Sequence, residues 1–205
     1  MKVLLTGFEP FGGECVNPAL EIVHSFPDMF HGARILKLAV PVVFGKASDM
    51  VCNAMKNERP DIVICLGQAG GRSCVTPEMI AVNFMNAEIP DNEGGRPACE
   101  RIVADGPDGL FSNLPVMDIA AAIRERGLPS QVSFSAGTYV CNSLMYRVLF
   151  QIRNESGSTK GGFIHVPYLP SQVSQRKGVP SMSFQDMCKS AEIAVAVALG
   201  VSSPA

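Results

Sequence analysis

Along this chain, short apolar runs rich in valine and isoleucine alternate with segments whose apolar residues recur at helical spacing. "KVLLTGF" reads as a strand. After it, Asn17 and Pro18 suit the N-cap and first helical position of "PALEIVHSF". "ARILKLAVPV" is a second strand, and a helix over "KASDMVCNAMKN" closes at Pro60. "DIVICLG" is apolar on both faces, as a central strand of a parallel sheet would be. The middle is less regular. "EMIAVNFMNAEI" reads as one or two strands, and "PDNEGGRPACERIVADGPDG" as a long loop region with short strands in it. "PVMDIAAAIRERG" is a helix ended by Gly127, and "QVSFSA" is a strand. A helix then starts near Cys141, with Leu144, Val148 and Ile152 on its apolar face. "GGFIHVPYLP" is a late strand and "SFQDMCKSAEIAVAVAL" the closing helix.

This alternation predicts a three-layer α/β/α fold with a mostly parallel, twisted sheet. No repeat, low-complexity tract or linker divides residues 1–205, so one domain is expected. The 47% hydrophobic and 18% charged fractions argue for a large core and against disorder. A net charge of −2 and the lack of a Lys/Arg cluster give no reason to expect nucleic acid or an anionic membrane as partner. The apolar run in "MKVLLTGFEPFGG" is too short for a secretory core or a membrane span, which points to the cytoplasm. Seven cysteines, odd in number and without a C-x-x-C pair, argue against a disulfide framework or a structural zinc site. Most of them, Cys65 and Cys188 included, are expected to be small hydrophobes in the core.

Two glycine-bearing turns, "TGFEPFGG" and "GQAGGR", match neither phosphate-binding fingerprint. Gly67, Gly70 and Gly71 either let backbone amides approach a ligand or simply allow a tight strand exit. Among the cysteines, Cys141 alone combines a strand-to-helix junction with small residues, Gly137 and Thr138, just before it. Free amides and the macrodipole there favour a thiolate, so Cys141 is either a nucleophile or a quiet helix-start residue.

A thiol nucleophile needs an imidazole as base and then acid. His24 and His31 read as surface residues. His165 ends the strand "GGFIHVP", far enough from Cys141 for one helix and a return strand, and is either that base or a hydrogen-bonded core histidine. Spacing cannot choose an orienting carboxylate among 19 acidic residues. Glu78 is attractive because it enters an apolar strand, where an unpaired charge is costly.

"LLTGFEPFGG" with "VNP", then "GQAGGR", "PEMIAVN", "EIPDNEG", "DGPDGLFSNLP", "AGTYVCN" and "GFIHVPYLP" together resemble the pyroglutamyl-peptidase I family, also called pyrrolidone-carboxylate peptidases. The resemblance runs in order from about residue 1 to residue 172, and the last helix has no distinctive motif. It implies a cysteine peptidase that removes N-terminal pyroglutamyl residues from peptides, with Glu78, Cys141 and His165 as the triad. No metal or organic cofactor is implied, and the family is commonly a cytoplasmic homotetramer. It further implies Phe8 and Phe11 as walls around the lactam ring, Ile89 and Val140 nearby, and Asn17 and Gln68 as polar residues at or near it. On the residues alone, Phe8 and Phe11 also fit plain core and Asn17 a helix cap.

The chain departs from the family pattern at several positions. Met79 and Glu88 stand where many members carry arginine, and Phe134 and Ser135 replace a commoner Asn-Thr pair. Loss of positive charge is expected to raise the Cys141 pKa or weaken oxyanion support. A related binding protein without turnover, or another hydrolase on the same scaffold, are the rival readings.

Overall fold

A computed structural model describes residues 1–155 and 157–201; the last four residues of the expected domain lie outside the described residues. The chain opens with β1 (Lys2–Phe8), α1 (Pro18–Ser25), β2 (Met29–Phe30), β3 (Ala33–Val40), α2 (Lys46–Glu58) and β4 (Ile62–Gln68). The middle holds β5 (Thr76–Pro77), β6 (Ile80–Val82), β7 (Gly109–Phe111) and α3 (Val116–Glu125). The remainder is α4 (Val140–Asn154), β8 (Lys160–Val166), the single turn α5 (Pro170–Val173) and α6 (Phe184–Leu199).

The main sheet runs β2-β3-β1-β4-β8-β5, while β6 and β7 form a separate antiparallel pair. Strands β3, β1, β4 and β8 are mutually parallel, with short antiparallel strands on both edges. Successive strand residues point to opposite faces, so the sheet divides the core in two. Val3, Leu5, Ile62, Ile64, Leu66 and Ile164 pack with α1, α3 and α6. Leu4, Phe8, Val63, Cys65 and Phe163 pack with α2 and α4. Every residue of β4 is buried, as its two-sided apolar pattern predicts. Each large aliphatic side chain there contributes roughly 1.5–3 kcal/mol by leaving water. A one-residue slip would swap all of them between faces, so the register is strongly specified.

Asn17 and Pro18 start α1 as the sequence indicates, with Asn17 Oδ1 accepting from the Ala19 amide at 3.1 Å. A Cβ on Gly7 would stand 2.7 Å from the Ala19 carbonyl oxygen, so only glycine lets α1 close onto the end of β1.

The expected strand "QVSFSA" does not form. One isolated bridge, Glu78 with Ser133, falls within it, and a second, Val75 with Ser130, lies just before it. The cause is local competition for hydrogen bonds. Ser133 Oγ donates to the Ser135 carbonyl at 3.1 Å and accepts the Ser135 amide at 3.3 Å, and Ser135 Oγ accepts the Gly137 amide at 3.3 Å. Within "EMIAVNFMNAEI" only Ile80–Val82 is a strand. Beyond it, Asn83 takes over the pairing by accepting the amides of Ile102 and Val103, both at 2.9 Å. Cys141 therefore reaches the sheet through α4, which packs on β8 and β6, and not through a strand of its own.

Candidate active site

The parallel strands bring the exits of β1, β4 and β8 to one end of the sheet, where open α/β sheets bind ligands. Gly67 is the β4 residue paired with His165 of β8. A Cβ on it would lie 2.7 Å from the Phe163 ring and 3.2 Å from Cys141 Sγ. The side-chain position that glycine leaves open is filled by that ring and that thiol. Phe163 and His165 lie two apart on the same face, with ring centroids 4.7 Å apart. Cys141, Phe163 and His165 thus share one small volume.

Cys141 is the second residue of α4 and is half-buried. The N-cap, Tyr139, makes no side-chain cap hydrogen bond, and the first amides of a helix have no partner within it. Asn142 braces this turn. Its Oδ1 accepts the Val82 amide at 2.9 Å, and its Nδ2 donates to the carbonyls of Val82 at 2.9 Å and Phe84 at 3.0 Å.

Glu78 is fully buried, and its Oε1 accepts His165 Nδ1–H at 2.7 Å. That bond fixes the tautomer and leaves His165 Nε2 free as the basic nitrogen. The same Oε1 accepts from Arg72 Nη1 at 2.6 Å. Glu78 Oε2 is buried without a hydrogen-bond partner. The buried carboxylate is held by the Arg72 guanidinium and by the N–H of the His165 ring.

Burial opposes ionisation of all three groups, and neighbours modify it. For Glu78, desolvation pushes the pKa up, but the bond and charge of His165, the nearby Ser133 hydroxyl and the Arg72 charge outweigh it, so the carboxyl lies below its usual range. For His165, desolvation lowers the pKa more than Glu78 restores it, so the resting imidazole is neutral. Burial, then the Glu78 charge, push the Cys141 thiol up to about 12 against the relief given by Arg72. The resting pair is therefore thiol and neutral imidazole, not the poised thiolate that a helix start alone suggests. Burial is the main cause. Met79 packs against the α1/α3/α6 side of the core, away from the thiol, and Glu88 is exposed.

Phe8 is buried and 6.3 Å from Phe163, while half-buried Phe11 lies 6.3 Å from the ring of Tyr139. Val140 is buried and Ile89 is 48% exposed. Asn17 has both amide ends engaged, since Nδ2 also donates to the Glu9 carbonyl at 3.1 Å. Gln68 points to the face opposite Gly67, and its Oε1 accepts Gln172 Nε2 at 2.8 Å.

The "EIPDNEG" segment is stapled to the same end of the sheet. Tyr139 Oη donates to the Pro90 carbonyl at 3.0 Å, Asp91 Oδ2 accepts the Phe44 amide at 3.0 Å, and Asn92 Nδ2 donates to the Pro10 carbonyl at 3.0 Å. Arg72, Asn142 and Gln172 also hold this end of the sheet. Arg72 and Asn142 lie inside the motifs "GQAGGR" and "VCN", where glycines and a cysteine carry the stronger local signal. Among the described residues no three or more His, Cys, Asp or Glu side chains converge as a metal cradle would, and no helix is long and apolar enough to cross a membrane.

A profile of the family described as pyroglutamyl peptidase matches residues 1–200, extending the resemblance through α6. A pyrrolidone-carboxylate peptidase of Lactobacillus helveticus is 50% identical over 198 residues, covering 97% of this chain and 98% of its own. The crystal structure of Bacillus amyloliquefaciens pyroglutamyl peptidase I matches with a TM-score of 0.92 at 44% identity, covering 97% of both chains. A pyrrolidone carboxyl peptidase from the hyperthermophile Pyrococcus furiosus matches with a TM-score of 0.94 at 41% identity, covering 98% of this chain and 99% of that one. With an unbroken match from the first strand to the last helix, the chain belongs to the pyroglutamyl peptidase family.

Proposed function

We propose that this chain hydrolyses the amide bond after an N-terminal pyroglutamyl residue, with Cys141 as nucleophile, His165 as base and acid, and Glu78 as the orienting carboxylate. The observation that carries the reading is the 2.7 Å bond from His165 Nδ1 to buried Glu78, on the same face as the thiol that fills the Gly67 gap. Nε2 takes the proton from Cys141 as Sγ attacks the pyroglutamyl carbonyl, so the thiol need not ionise beforehand. Amides of the first α4 turn, that of Cys141 included, are suited to stabilise the oxyanion. The imidazolium, held by Glu78, gives its proton to the departing amine and leaves a thioester on Cys141. Neutral again, Nε2 accepts a proton from water as the water attacks the thioester. Collapse of that intermediate returns the proton to Sγ and releases pyroglutamate.

The lactam ring is read as lying against Phe11 and Ile89, with Phe8 and Val140 beneath. Gln68 serves through its backbone and its side-chain amide. Asn17 contributes by pinning the loop that carries Phe11. The same reading takes residues 1–205 as one catalytic domain of a cytoplasmic homotetramer, for which exposed Phe111 and Phe134 offer apolar surface. Release of a fluorescent amine from a pyroglutamyl amide tests the reaction. Wild type should turn it over while Cys141→Ser and a prolyl amide control stay at background. Equal turnover of the prolyl amide, or full activity in Cys141→Ser, would reject the reading.

A further inference from the structure

Arg72 takes no part in the steps above, yet it is bonded directly to the triad. It leaves the turn after β4 and is about a quarter exposed, at 27%. Its Nη1 donates to Glu78 Oε1 at 2.6 Å and to Thr76 Oγ1, and its Nη2 donates to the Ser135 carbonyl at 3.1 Å. Thr76 is the β5 residue paired with His165. One guanidinium therefore ties together the strand beside the imidazole, the segment leading into the Cys141 helix, and the carboxylate. The planar fork of arginine suits such multipoint holding, and a lysine would lose part of it.

The shared oxygen is the informative feature. Glu78 Oε1 serves both His165 and Arg72, whereas Oε2 has no hydrogen-bond partner. A carboxylate free to turn could offer Oε2 to the imidazole or drop the bond altogether. Arg72 removes that freedom.

We propose that Arg72 is a positioning residue of the triad: by holding the same Glu78 oxygen that receives His165 Nδ1–H, it fixes the carboxylate's direction and blocks transfer of the imidazole's proton to it. This inference rests on the triad reading given above.

Several groups face His165. They are Glu78, Arg72 from the β4 exit, the Cys141 thiol from α4 and, deeper on the same face of β4, the Cys65 thiol. Next to it, β5 contributes the neutral Thr76 hydroxyl, and the segment before α4 contributes the neutral Ser133 and Ser135. Both thiols are held neutral by burial, with pKa values pushed up to about 12. Arg72 is therefore the one positive charge in that set, and it opposes a proton on His165. Without it, burial alone would oppose the pull of Glu78 on that proton. His165 would then keep its proton to higher pH than in wild type.

The test is an NMR titration of the His165 ring in wild type, Arg72→Gln and Arg72→Lys, paired with pH profiles of kcat/KM. With only three histidines, His165→Asn assigns the signal. Arg72→Gln should raise the His165 midpoint by about half a pH unit or more, move the acid limb of kcat/KM the same way, and lower kcat more than it changes KM. Arg72→Lys should titrate close to wild type while turning over several-fold more slowly. A folded Arg72→Gln with an unmoved midpoint overturns the inference, whatever its rate, because a purely structural role would leave that midpoint alone. Should Arg72→Gln fail to fold, Arg72→Lys carries the test, and wild-type midpoint and turnover together would overturn it. The titration needs no turnover. An inactive wild type with a shifted midpoint would sink the peptidase reading and uphold Arg72, and an active wild type without the shift would do the reverse.

Discussion

Two polar clusters occupy the same end of the sheet, one on each face. On the α4 side, Cys141, His165, Glu78 and Arg72 keep hydrogen-bonding capacity in reserve. Glu78 Oε2 has no partner, and Tyr139 leaves the first α4 amides without a side-chain cap. On the α1 side, Asn17, Gln68, Glu14 and Gln172 are nearly saturated. Asn17 uses both ends of its amide, and Gln172 Nε2 reaches Gln68 Oε1 at 2.8 Å, Glu14 Oε2 at 3.2 Å and the Val16 carbonyl at 3.3 Å. An unpaired buried polar group costs free energy, so a fold normally closes such networks. On the proposed reading, the open cluster keeps groups for the reacting bond, and the closed one frames it while Gln68 reaches the lactam.

The largest expected break in that contrast is Glu78→Gln. An amide at that position can donate to Nδ1 and favour the wrong tautomer, so turnover should fall by about 10³–10⁴-fold with substrate binding little changed. Its stability should also respond to acid. Unfolded Glu78 and His165 bind protons more readily than the folded groups, so wild type loses stability as pH falls below the usual 6.5 of His165 and again below the usual 4.5 of Glu78. The lower step should be missing from Glu78→Gln in thermal melts. A mutant with near wild-type turnover would show that the open cluster does not need its carboxylate.

Gly67→Ala should come next. Its methyl must displace the Phe163 ring or Cys141 Sγ, at a cost of about 1–3 kcal/mol in stability. It should also lower kcat by at least about tenfold, since a 1 Å misplacement of a reacting group costs up to about 10²-fold. Stopped turnover assays and melts read both, and a stable, fully active variant would remove Gly67 from the account.

The smallest effect belongs to the frame. Asn17→Ala should cost about 1 kcal/mol of stability through the lost α1 cap while KM moves by less than about threefold. A large rise in KM at unchanged stability would place Asn17 on the substrate.

The parts of the fold set by burial were legible in the sequence. "DIVICLG" is apolar on both faces because α1 and α4 cover both, and the Asn17-Pro18 start of α1 is a local hydrogen-bond pattern. "QVSFSA" alternates as a strand does, yet the hydroxyls of Ser133 and Ser135 capture the amides that a ladder would use. Within the site, Cys141 was legible from its junction and His165 from the scarcity of histidines. The pairing of Glu78 with His165 was not, because it joins β8 to the segment after β5 through space. Arg72 and Gln172 escaped for the same reason, since their roles are set by which loops meet. The burial that raises the Cys141 pKa against the helix-start field is set by tertiary packing, which sequence position does not show.

The central claim, that Cys141 carries the acyl group, is tested most directly by rapid acid quench of wild type turning over a pyroglutamyl amide, followed by mass mapping of the cysteine peptides. The account predicts one pyroglutamyl group on the Cys141 peptide, absent in Cys141→Ala under the same quench. Turnover with the group on exposed Cys15 or Cys99 instead would contradict it.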